Sequence, residues 1–207
     1  HPIAAMPYYI DNISLNVYSL EELCYYIENH LYLIEADFMS EELCLWIGQE
    51  LDEKDLAQSL RSVLLGNGSL SDFTELILRS CGYCSEDTIR HIRSGWLDMQ
   101  NKSVFECSKI RADRYMESEK YVKAIHEYRK LLGMEEECKK NPVLEGNIRH
   151  NLGTACAELF LFDEAAANFL NAYRLNQNRE SLAACMAACR LAKKTDILKK
   201  YKEEFHV

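Results

Sequence analysis

The side chains best suited to chemistry are sulfurs. Cys81-Gly82-Tyr83-Cys84 is a CxxC, a spacing that can supply half of a zinc site or a redox pair. No second CxxC and no HxxxH accompanies it, and structural zinc normally takes four ligands. Coincidence in a chain of nine cysteines is therefore the expected reading, and no metal or cofactor is expected. Cys185 and Cys189 lie one helical turn apart. The cysteine count is odd, and Cys24, Cys156 and Cys185 fall on apolar faces of expected helices, so reduced thiols in a reducing compartment fit better than a disulfide framework. His126 and His150 sit on expected helices with no evident Ser, Cys or carboxylate arrangement. The chain has no Gly-rich phosphate loop and no nucleophile elbow. The expectation is a protein that is not an enzyme.

Charge narrows the partners. Residues 1–104 hold 6 basic and 17 acidic side chains, whereas residues 105–207 hold 18 basic and 16 acidic. Nucleic-acid binding by the acidic half is not expected, because phosphate recognition relies on clustered Lys and Arg. No apolar run approaches the roughly 20 residues of a transmembrane helix, so no membrane partner is expected and the chain reads as soluble and cytoplasmic. The tyrosines at 8, 9, 18, 25, 26 and 32 could form an adhesive patch, but their spacing suits core and rim packing.

The elements that must position these groups are helices, since only three prolines interrupt the chain. Residues 1–18 read as an N-terminal arm laid over the rest, with 8–18 extended and no second strand to pair with. An acidic helical bundle is expected over 19–103. Its first helix spans about 19–34 from a Ser19/Glu22 capping box, with Leu20, Leu23, Ile27, Leu31 and Ile34 as its stripe. The second starts at Ser40, and the third at Asp52, stopping at Gly66-Asn67-Gly68. Ser71 and Asp72 open a fourth, closed by Gly82, and Ser85 starts a fifth that ends near 101–103.

From residue 105 the chain repeats itself. Ala112, Tyr115, Tyr121, Ala124 and Tyr128 stand at the same relative places as Gly153, Cys156, Phe162, Ala165 and Phe169. A small residue on one helix lets the next approach, a small residue on that helix returns the contact, and aromatics fill the remainder. A third, degenerate unit puts a helix at about 180–193 and a lysine-rich cap at about 195–205, with Ile197, Leu198, Tyr201 and Phe205 inward.

Residues 146–179, through Leu152-Gly153, Phe162-Asp163-Glu164-Ala165, Phe169 and Ala172, resemble a tetratricopeptide repeat. Residues 105–138 are a weaker match, in which Ser108 and Arg111 replace large apolar residues, and the insertion around 135–145 lengthens a loop. The resemblance implies an all-α chain: a short N-terminal helical bundle, then over 104–207 an antiparallel helix-pair array, an α-solenoid, with units of about 105–138, 146–179 and 180–205 and a C-terminal capping helix. It also implies a peptide-binding groove lined by Lys109, Asp113, Met116 and Glu117 of the first unit and Asn147, His150, Asn151 and Thr154 of the second. Asn151 would hold a peptide backbone. Asp113 stands where the carboxylate-binding version of the groove would have Asn, and Ser181 and Cys185 occupy the third unit, so that clamp is incomplete.

The functional expectation is a non-catalytic adaptor that binds a protein or peptide. A peptide-sensing regulator with an N-terminal DNA-binding domain is the alternative, but residues 19–65 contain only Lys54 and Arg61 as basic side chains. An enzyme with an unrecognised site is the remaining class.

Overall fold

Serine caps fix where the helices of the first half begin. In the computed structural model, which describes residues 2–206, Ser19, Ser40 and Ser85 each accept a hydrogen bond from the backbone N–H three residues on, opening α1 (Leu20–Asn29), α2 (Glu41–Glu50) and α5 (Glu86–Asn101). Two expected starts move. α3 (Lys54–Leu65) begins after Glu53, because Asp52 is held left-handed at φ +55° and serves the turn instead. α4 (Leu70–Ser80) begins after Ser69, which forms a reciprocal capping box with Asp72, two residues before the expected Ser71 start. α1 also stops short of 34: His30 ends it, and two 3-10 turns, Leu31–Leu33 and Ala36–Phe38, follow.

The chain divides into two units, His1–Ser103 and Val104–Val207. In the first, the expected N-terminal arm is replaced by a hairpin. β1 (Tyr8–Ile10) pairs antiparallel with β2 (Leu15–Val17), with Tyr8 opposite Val17 and Ile10 opposite Leu15. Alternation turns these four side chains to the unit's interior, where Ile10 and Val17 join a core built from Leu20, Leu23, Ile27, Leu43, Ile47, Phe73 and Ile77. Burying one such aliphatic side chain stabilises by about 1.5–3 kcal/mol, enough to hold a segment that helical bookkeeping leaves out. Asn12, in the hairpin turn, donates to the Tyr26 hydroxyl and to Leu33 O, both at 2.7 Å, and the Trp46 indole N–H donates to Met6 O at 2.7 Å. The segment is part of the unit's packing.

The second unit is helical throughout: α6 (Val104–Glu117), α7 (Tyr121–Leu132), α8 (Glu135–Lys140), α9 (Pro142–Glu158), α10 (Phe162–Asn176), α11 (Arg179–Leu191) and α12 (Thr195–Phe205). Residues expected as a lengthened loop around 135–145 instead form α8 and the start of α9, anchored by the buried Cys138 and by Asn141, whose side chain caps α9 ahead of Pro142. Sequence neighbours pack against one another, α6 on α7, α9 on α10, α10 on α11 and α11 on α12, and α7 also packs on α9.

One turn recurs three times. Glu119, Phe160 and Lys193 are left-handed at φ +57°, +60° and +58°. The N–H of the next residue reaches back to a carbonyl five positions earlier in each case: Lys120 to Tyr115, Leu161 to Cys156 and Lys194 to Cys189. Each of those residues then enters its helix with the same backbone angles, near −90° and +62°. This closes the preceding helix in the manner of a Schellman motif without glycine. Close packing follows. Ala112, Ala124 and Ala165 are fully buried, and a Cβ on Gly153 would lie 2.8 Å from the Phe169 ring. On α12, Leu198, Tyr201 and Phe205 are half-buried, with Phe205 edge-on to Tyr173, whereas Ile197, expected inward, is 41% exposed. Among the described residues no helix is long and apolar enough to cross a membrane.

Candidate functional site

Three helices of the second unit bring polar side chains together around Asp113. Lys109 and Asp113 stand one turn apart on α6, Tyr128 comes from α7 and Asn151 from α9. The Tyr128 hydroxyl donates to Asp113 Oδ1 at 2.7 Å, and Asn151 Nδ2 lies 3.3 Å from both that oxygen and the Tyr128 oxygen. The Lys109 ammonium pairs with Asp113 Oδ2. An ionised carboxylate only accepts, so the cluster is satisfied with the Asn151 amide turned NH2-inward.

Tyr128 is fully buried, and that burial, followed by its hydrogen bond to Asp113, pushes its phenol pKa well above the ordinary value. It acts as a donor and stays neutral. Lys109 and Asp113 keep side-chain exposures of 22% and 35%, so this edge of the cluster meets solvent.

His150 makes a second, separate set of contacts. Its Nδ1 is 2.9 Å from Ser181 Oγ, and its ring packs against Phe169 with centroids 5.2 Å apart. Burial lowers its pKa, opposed by the charge of Glu180. A Ser–His hydrogen bond is the first requirement of an activated nucleophile, but Ser181 is fully buried, which leaves a substrate carbonyl no approach to it. The pair joins α9 to α11.

The remaining positions disperse. Asn147 accepts from Asn176 Nδ2 at 3.1 Å, and Thr154 donates to the His150 carbonyl one turn back on its own helix. Glu117 pairs with Arg114, and Met116 is half-buried. Of the expected groove residues, then, Lys109, Asp113 and Asn151 meet in one cluster, His150 turns to α11, and Asn147 and Thr154 bond elsewhere. Sequence reasoning missed the Tyr128 hydroxyl, because Tyr128 occupies a repeat position that Phe169 fills in the next unit, so it read as packing alone. The polar tip of a buried tyrosine was the available signal.

No family model, curated protein or solved structure matches this chain. The chemistry of the cluster is therefore read from its own geometry. Both bonds made by the Asn151 amide are long, at 3.3 Å, and correspondingly weak. The edge that meets solvent presents the paired Lys109 ammonium and Asp113 carboxylate.

Proposed function

We propose that the second unit is a tetratricopeptide-like binding module, and that the chain acts as a non-catalytic adaptor holding a protein or peptide segment at the Lys109–Asp113–Asn151 edge. The observation that carries this reading is the recurrent turn at Glu119, Phe160 and Lys193, each closing a helix that packs on the one after it. Phe160 and Lys193 are about one tetratricopeptide length apart, roughly 34 residues, and the α8 segment accounts for the longer interval before Phe160. Such hairpins leave an apolar face open until a neighbour covers it, which is why they occur in stacks and end in an amphipathic helix such as α12.

In this reading the protein works in the cytoplasm, a compartment in which thiols are ordinarily kept reduced, and it binds neither nucleic acid nor membrane. The acidic first unit supplies a second surface, or steers a basic partner by long-range attraction. The test is affinity capture of partners from native extract by the intact protein and by a Lys109→Ala/Asn151→Ala variant that retains its helical circular dichroism. A protein captured by the parent and lost from the variant, and then bound directly as a purified component, supports the proposal. Equal capture by both moves the binding surface away from this cluster.

A further inference from the structure

The isolated CxxC of the sequence has a third sulfur beside it in the fold. Cys24 lies on α1 and Cys81 is the residue that ends α4, and their Sγ atoms are 3.3 Å apart. Gly82 then turns left-handed at φ +65°, the Tyr83 N–H donates to Cys81 Sγ at 3.3 Å, and Cys84 follows immediately before Ser85, the cap of α5. Burial is graded across the group. Cys24 is fully enclosed, whereas Cys81 and Cys84 are partly exposed. Burial, reinforced by the neighbouring sulfurs, raises the Cys24 pKa, and burial with the Glu28 charge raises that of Cys84.

We infer that Cys24 and Cys81 are an oxidisable dithiol, joined into a disulfide by exchange with low-molecular-weight disulfides that enter at the partly exposed Cys81. The geometry favours this bond. Two sulfurs 3.3 Å apart need to close by little more than an ångström to reach the disulfide length of about 2.05 Å. The same separation is shorter than the roughly 3.8 Å between two thiolates on one tetrahedral zinc, which follows from a Zn–S bond of about 2.3 Å. Among the described residues no three or more His, Cys, Asp or Glu side chains are arranged to hold a metal ion.

The exchange balances in two steps. Cys81, having released its proton to solvent, attacks one sulfur of the small disulfide, forming a mixed disulfide and expelling one small thiolate. Cys24 then loses its proton and attacks Cys81 Sγ, forming the Cys24–Cys81 bond and expelling the second thiolate. The two protons end on the two released small thiols, and two electrons pass from the protein pair to the small disulfide. The product ties α1 to the end of α4. A cross-link closing so long a loop raises the midpoint of thermal unfolding of the first unit by about 10 °C. Excess small thiol reverses the two steps, attacking the Cys24–Cys81 bond to give a mixed disulfide and then releasing the small disulfide, so the link is reversible.

The test uses the intact protein and glutathione disulfide. After incubation and trapping with N-ethylmaleimide, peptide mapping should show Cys24 joined to Cys81 as the dominant pair, both in the parent and in Cys84→Ser. The preference should vanish when the same oxidation is run in 6 M guanidinium. Three results would overturn the inference: dominant Cys81–Cys84 pairing, a stable glutathione adduct on Cys81 with Cys24 still alkylatable after unfolding, or one zinc ion retained in native mass spectrometry that shields all three thiols. Because the mapping is done on the parent chain, it does not depend on whether a Cys24 variant folds.

Discussion

The Tyr128 hydroxyl meets Asp113 Oδ1 at 2.7 Å, so a fully buried aromatic on α7 is oriented by a partly exposed carboxylate on α6. Tyr128→Phe keeps the ring and deletes only the donor, leaving Asp113 to Lys109 and Asn151. The expected loss is about 1.5–3 kcal/mol, the range for a hydrogen bond to a charged group, read from the urea midpoint by circular dichroism. Asp113→Ala should cost more, because it strips the acceptor from the phenol and the counter-charge from Lys109 together. A Tyr128→Phe/Asp113→Ala cycle should be non-additive; additive losses would mean that the bond contributes nothing to stability.

Gly153 is required by contact and not by backbone angle. An added methyl would lie 2.8–2.9 Å from two carbons of the Phe169 ring, inside the distance any real Cβ tolerates. Gly153→Ala should therefore destabilise by about 1–3 kcal/mol although alanine is the better helix former. Adding Phe169→Leu should recover part of the loss. If Gly153→Ala is neutral alone, α9 and α10 do not approach as closely as described.

Where one residue type carries the signal locally, the fold was legible. Ser40 and Ser85 announce their helices by capping, and the small residues at 112, 124, 153 and 165 announce the helix contacts of the second unit. What escaped depends on groups distant in sequence. The hairpin has only three residues per strand, its turn lacks glycine, and its stabilising partners, Tyr26, Leu33 and Trp46, belong to other elements. α8 is six residues with a single buried side chain, too short to display a period. Lys109, Asp113 and Asn151 were expected on one surface through family resemblance, yet nothing local indicates that Tyr128 would tie Asp113 inward. Likewise the CxxC shows two thiols, and only the packing of α1 on α4 brings Cys24 to them.

His150 gives the second unit a pH dependence whose sign follows from its burial. Its folded pKa is lowered, so between that value and the ordinary pKa of about 6.5 the unfolded chain binds a proton that the folded chain does not. Stability should be complete above about pH 6.5, fall as the pH drops through that value, and level off below the folded pKa. His150→Gln, which can still bond Ser181 but cannot titrate, should flatten the dependence between pH 7 and 5.5. The carboxylates with lowered pKa values, Asp72, Glu75 and Asp98, lose their contributions at more acid pH, as protons neutralise them, and so do not mask this window. An unchanged slope in His150→Gln would assign the dependence to other groups.

The hairpin should behave as a structural member of the first unit, and Asn12 is the residue that tests it. Its amide nitrogen holds the Tyr26 hydroxyl and Leu33 O simultaneously, linking the hairpin turn to α1 and to the 3-10 turn that follows. Asn12→Ala removes both bonds and leaves a part-buried carbonyl and phenol without this donor, a loss of about 2 kcal/mol. Both tryptophans, Trp46 and Trp96, lie in the first unit, so intrinsic tryptophan fluorescence follows that unit. Trp46 in addition bonds Met6 O and packs its ring against Tyr8 at 5.7 Å, so it senses the segment directly. The urea midpoint followed by tryptophan emission should therefore shift to lower concentration in Asn12→Ala. A detachable arm predicts the opposite: an unchanged midpoint, with at most a small change in the folded-state emission of Trp46.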